Sequence, residues 1–97
     1  MPESKAHTAV ANRLARQFGT TYNRGPGADV QTRSVAIEVE TEKTVGDAGR
    51  QLQGHHKRVF VAGTSQAATQ AALDQYKNTT IGVMDPNGRV LKPSTRR

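Results

Sequence analysis

The chain has 97 residues, enough for one domain with a small core. Only 34% of residues are hydrophobic and there is no Trp, so the core is lean and a homodimer would help to bury apolar surface. Fourteen Lys and Arg against eight Asp and Glu leave a net charge of +6, which suits a polyanionic partner; the absence of Cys excludes disulfides and thiolate metal sites, and no apolar run is long enough to cross a membrane.

Residues 1–5 do not read as a signal peptide, and the basic residues form no amphipathic membrane-type helix. A cytoplasmic protein that meets nucleic acid rather than a membrane surface is therefore expected.

Ser4 is placed to cap a first helix over residues 5–18, where Val10, Leu14 and Phe18 recur every four residues and share a face; Gly19 is its stop. Thr20, Thr21 and Tyr22 can open a first strand, and residues 23–27 form a glycine-rich loop. Residues 28–31 begin another extended segment, and residues 32–34 make a tight connection. Residues 35–42 alternate, with Ile37, Val39 and Thr41 on one face and Glu38, Glu40 and Glu42 on the other. Thr44 and Asp47 have the spacing of a capped helix start, with Val45, Ala48 and Leu52 turned inward and an end near Gly54. Residues 58–63 are a continuous apolar run, as in a strand buried on both faces. Thr64 or Ser65 caps a helix carrying Ala68, Ala72 and Tyr76 at four-residue spacing. Residues 80–84 form another strand, and Asp85-Pro86-Asn87-Gly88 turns the chain into a short hairpin partner over residues 89–91. The expected fold is α/β in the order αβββαβαβ, a mixed sheet flanked by helices, in one domain over residues 1–91. Residues 92–97 read as a mobile basic tail.

The alternating carboxylates are the most informative stretch. Like charges on one strand face repel unless they point into water or bind a cation. A solvated sheet edge is one reading. If Asp29 lies on the neighbouring strand, its carboxylate converges with Glu38, and oxygen ligands plus waters then describe a Mg²⁺ or Mn²⁺ site.

A helix, then Gly-Ala-Asp-Val at residues 27–30, a strand with Glu-Val-Glu at 38–40, then helix, apolar strand and helix resembles the PD-(D/E)xK restriction-endonuclease-like superfamily, which includes archaeal Holliday-junction resolvases. The likeness spans residues 4–84 in element order. It implies a restriction-endonuclease-like fold, with Asp29 as the first acid and Glu38 as the second, although Ala28 stands where the family usually has Pro. Glu40 occupies the usual lysine position, and its expected role is a further metal ligand beside Asp29 and Glu38, or a weak base. The run Ile37-Glu38-Val39-Glu40-Thr41-Glu42-Lys43 looks like a pattern in archaeal members whose lysine lies three residues past the second Glu, so the resemblance assigns that role to Lys43. It also implies a supporting polar residue on the following helix, Gln51 in preference to Gln53. Resolvase-like members often carry a Glu on the first helix. Here His7 and Thr8 stand near that level; His7 could be a substitute contact, but an exposed helix-surface residue is the preferred reading.

Two basic segments are candidates for nucleic-acid contact. In the loop before Asp29, Arg24 can clasp a phosphate and Tyr22 can stack on an unpaired base. His55, His56 and Lys57 form a cluster between a helix and a strand, and adjacent histidines are poorly spaced for zinc. The expected function is a metal-dependent endonuclease on DNA, with branched or structured DNA as the resemblance-based substrate and a two-fold dimer presenting two sites. The alternatives are a non-catalytic nucleic-acid-binding module of the same fold and a protein-interaction domain whose charge is incidental.

Overall fold

The computed structural model describes residues 5–24, 27–52 and 55–95, with the side chains of Arg50 and Gln51 outside that description. Helix α1 (Lys5–Gln17) buries Val10, Ala11, Leu14 and Ala15 along the expected stripe. Its end is closed by Gly19 N–H on the Arg16 carbonyl at 3.2 Å and Thr20 N–H on the Ala15 carbonyl at 2.8 Å. Gly19 adopts φ +71°, the left-handed turn that lets both orphan carbonyls be satisfied. Thr20 is thereby committed to the helix cap, and Thr20 to Tyr22 form no strand. Ser4, expected to cap α1, lies outside the described residues.

Strand β1 (Val30–Gln31) makes a hairpin with β2 (Val35–Glu40). The Thr32 hydroxyl shapes the turn by accepting from Ser34 N–H and Val35 N–H. Strand β2 ends at Glu40, two residues earlier than expected, because the chain turns over residues 41–44. There Thr41 N–H donates to the Thr44 hydroxyl at 2.9 Å and Thr44 N–H to the Thr41 carbonyl at 3.1 Å. Thr44 is used by that turn and does not cap a helix with its side chain. A 3-10 turn (Val45–Asp47) runs into α2 (Ala48–Gln51), and Val45, Ala48 and Leu52 point inward as expected.

Strand β3 (Arg58–Gly63) follows, then α3 (Gln66–Gln75), capped by Ser65, whose side chain accepts from Ala68 N–H. Strand β4 (Gly82–Met84) turns through residues 85–89 into β5 (Val90–Lys92). The turn is held by Asp85 Oδ1, which accepts from Asn87 N–H and Arg89 N–H at 2.9 Å each, with Gly88 at φ +83°. The order is therefore αββαβαββ, with one strand fewer before α2 than expected and the expected hairpin partner of β4 present as β5. Residues 92–95 do not leave as a free tail. The Lys92 ammonium donates to the carbonyls of Thr79 and Ile81, Ser94 Oγ accepts from Val59 N–H, and Thr95 N–H donates to the Thr80 carbonyl.

The five strands lie in the order β1-β2-β3-β4-β5, parallel from β2 to β4 and antiparallel at both edges. This is the expected mixed α/β architecture. Ile37, Val39, Phe60, Ala62 and Met84 face α1, while Ala36, Val59, Val61 and Val83 face α2 and α3. Among the described residues, no helix is long and apolar enough to cross a membrane.

Tyr76, at the end of α3, ties the second face together. Its hydroxyl donates to the Val45 carbonyl at 2.6 Å and accepts from Gly49 N–H at 2.9 Å. Tyr76→Phe leaves both backbone groups without this partner, at a cost of about 1–3 kcal/mol. The expected result is a lower urea midpoint with an unchanged slope; an unchanged midpoint would contradict this bridging role.

Candidate functional site

The carboxylates are brought together by sheet register. Val30 pairs with Ile37, so the next step of the antiparallel ladder puts Asp29 opposite Glu38 on the same face. Glu38 and Glu40 sit one pleat apart on β2, beside Val61 and Gly63 of β3. Strand β2 pairs with β3 along its whole length, and helices cover both faces of the sheet; Asp29, Glu38 and Glu40 are each only 7% exposed. The solvated-edge reading of these residues is excluded. Glu42 is exposed in the turn and does not join them.

Asp29 is held from two directions. Where β1 has ended, the edge N–H of Val39 donates to Asp29 Oδ2 at 2.9 Å. His7 Nε2 lies 3.2 Å from the same oxygen, and the Tyr22 hydroxyl lies 3.2 Å from His7 Nδ1. A His7 tautomer that donates from Nε2 to Asp29 and accepts at Nδ1 from Tyr22 satisfies all three groups. His7 is therefore no exposed surface residue. Its side chain is 12% exposed, and it links α1 to the carboxylates. The loop is closed beside it by Asn23, whose N–H donates to the Asp29 carbonyl and whose side-chain amide donates to the Ala28 carbonyl.

Glu38 and Glu40 are the unusual groups. Glu38 Oε2 and Glu40 Oε2 are buried and have no hydrogen-bond partner among the described residues. Burial is the main cause that raises the Glu38 carboxyl from 4.5 to about 9, reinforced by the charge of Asp29, a hydrogen bond with Asp29 and the charge of Glu40. Burial likewise raises Glu40 from 4.5 to about 7, with Asp29 and Asp47 adding to the rise while the Thr44 hydroxyl and His7 oppose it. An unpartnered buried carboxylate oxygen is costly. Protonation lowers that cost, and so does a bound cation. The donor set fits a hard divalent ion in part: the two free oxygens are suitable ligands, and such ions keep several waters. Among the described residues, however, no three His, Asp or Glu side chains form a ready-made ligand set.

The other expected site residues are placed less centrally. Lys43 is exposed in the turn after β2. Gln51 lies at the end of α2, but its side chain and all of Gln53 fall outside the described residues. Arg24 lies over the Tyr22 ring, 5.4 Å from its centroid, so one ring face of Tyr22 is covered and its hydroxyl is engaged by His7. His55 is half-buried and His56 exposed. Lys57 donates to the Thr32 carbonyl at 2.8 Å and so braces the β1–β2 turn. Arg58 pairs with Val35, whereas Glu38 pairs with Val61 three residues further on. The His55–Lys57 segment thus enters β3 at the far end of the sheet, about 10 Å or more from Glu38 at the rise of a strand.

In comparison with known proteins, the chain matches no family model, no curated protein and no solved structure.

The raised carboxyls have a measurable consequence. A group whose folded pKa exceeds its unfolded value binds more protons in the folded state, so its stabilising contribution is complete below the unfolded value and is lost as pH rises through the folded one. For Glu38 that window runs from 4.5 to about 9 and for Glu40 from 4.5 to about 7. The melting temperature in EDTA is expected to fall as pH rises from 5 to 9, and Glu38→Gln should flatten the fall. A wild-type profile that rises over this interval would rule out the buried protonated pair.

Proposed function

We propose that the protein is a metal-dependent endonuclease acting on DNA, built on a restriction-endonuclease-like fold. The observation that carries this reading is the pair of buried oxygens on Glu38 and Glu40 that have no hydrogen-bond partner among the described residues, set beside an Asp29 that is itself oriented by Val39 and His7. Solvated Glu residues on a strand need no explanation. Buried ones that each keep one oxygen without a hydrogen-bond partner among the described residues ask for a cation. The net charge of +6 supplies the attraction to a phosphodiester backbone.

In this reading Glu38 and Glu40 supply ligand oxygens, and Asp29 either joins them or orders a bound water. A divalent cation here polarises a phosphate and lowers the pKa of an attacking water. Glu38 must give up its proton before it can ligate, which makes cation affinity rise with pH. Lys43 lies three residues past Glu40 in an exposed turn, from which its long side chain can approach a phosphate seated on the carboxylates. His7 holds Asp29 from the α1 side, in the place where resolvase-like members often carry a Glu.

The exposure of Lys43, together with Glu40 in the usual lysine position, favours one second reading, a binding module of the same fold without catalysis. The two readings separate in one assay on linear and four-way-branched DNA. The nuclease reading predicts products with Mg²⁺ or Mn²⁺, none with EDTA, and a loss in Glu38→Gln beyond the about 10–100-fold typical of second-layer residues. Salt-sensitive binding with no product under either metal would transfer the assignment to the binding module.

A further inference from the structure

The flank of α1 next to the candidate site carries a groove that the nuclease reading does not use. Asn12, Ala15 and Arg16 form one wall, and the extended residues Thr20, Thr21 and Tyr22 form the other, around a volume of about 380 Å³. Asn12 and Arg16 are four residues apart, so they lie on one stripe of the helix. The buried Ala15 leaves room between the walls. The lining offers a guanidinium, a carboxamide and two aliphatic hydroxyls, and it contains no carboxylate. Charge and donors of this kind suit phosphate oxygens.

Tyr22 connects this groove to the carboxylates, because it lines the groove while its hydroxyl meets His7, the partner of Asp29. Its free area for stacking is restricted, since Arg24 lies over its ring. A strand in the groove is therefore gripped by its backbone rather than by its bases. His7 and Arg16 are nine residues apart on α1, about 14 Å at the rise of a helix. At 3.6 residues per turn the two side chains project from opposite sides of α1, so Arg16 meets the strand away from the carboxylates rather than beside them.

We infer that the groove between α1 and residues 20–22 is the track for the sugar-phosphate backbone of a nucleic-acid strand, with Arg16 and Asn12 as its sequence-independent phosphate contacts. The strand's course toward Asp29 and Glu38 rests on the nuclease reading; the binding itself does not.

The test uses the whole protein in EDTA and a fluorescein-labelled oligothymidylate, with affinity followed by anisotropy across a salt series. The double variant Asn12→Ala/Arg16→Ala should bind at least about fivefold more weakly and lose about one from its salt slope, as expected for one phosphate contact removed. Lys77→Ala, beyond α3 on the opposite face of the sheet, should bind like the wild type. No oligonucleotide binding by the wild type, equal binding by the groove variant, or an equal loss in Lys77→Ala would each overturn the inference. Mn²⁺ binding measured by calorimetry on the same proteins separates the two proposals. Metal binding with a groove variant that binds DNA normally sinks the groove alone. Groove-dependent DNA binding without any metal binding sinks the nuclease reading alone.

Discussion

Two glutamates on a strand that the fold refuses to expose set the terms for the rest of this molecule. Strand β2 pairs with β3 through Glu38 and Glu40, with helices over both faces, so both glutamates are buried however acidic their sequence looks. In that setting each carboxyl must be neutral, hydrogen-bonded or paired with a cation. One oxygen of each has no partner among the described residues, and burial moves both pKa values upward. Protonation is therefore favoured there, and under the proposed function a divalent cation would compete with it. In the proposed function, stability and ligation would draw on the same two side chains, which would explain residues costly to the fold.

The neighbouring structure serves to hold this arrangement still. Residue Asp29 takes the N–H of Val39 that a longer β1 would have used, which turns the end of a short edge strand into a positioning device. His7 and Tyr22 reach the same carboxylate from α1, on the other side of the sheet. On the carboxylate side, Tyr76 pins the segment after β2 through Val45 and Gly49. Helix α1, the β1–β2 hairpin and α3 are thus fastened to one small region. A chain with a lean core and a 13-residue first helix gains rigidity where it needs it.

Much of the fold could be read from the residues because local patterns decided it. The four-residue spacing of α1, the apolar run of β3, the Ser65 cap and the Asp85–Gly88 turn all behave as their sequence suggests. The convergence of Asp29 with Glu38 was also legible, since two antiparallel strands with a short turn allow few registers. What was not legible depended on distant partners. Alternating glutamates look the same on an edge strand and on an interior one, and only the pairing with β3, twenty-odd residues later, makes them buried. Lys57 reads as a basic contact but is satisfied by the Thr32 carbonyl 25 residues before it. Lys92 begins an apparently free tail yet is consumed by carbonyls of residues 79 and 81. His7 had a signal that polar neighbours obscured: with Ala11, Leu14 and Phe18 it falls at helical spacing on the buried stripe.

The most direct test of the central claim is where a paramagnetic cation settles. Substoichiometric Mn²⁺ added to the ¹⁵N-labelled protein at pH 8 should broaden a compact set of amides, those of residues 28–30, 38–41 and 44, with His7 next, while β5 and the entry to β3 stay sharp. Broadening spread over exposed acidic residues, or confined away from Glu38 and Glu40, would show that the buried pair is not a cation site.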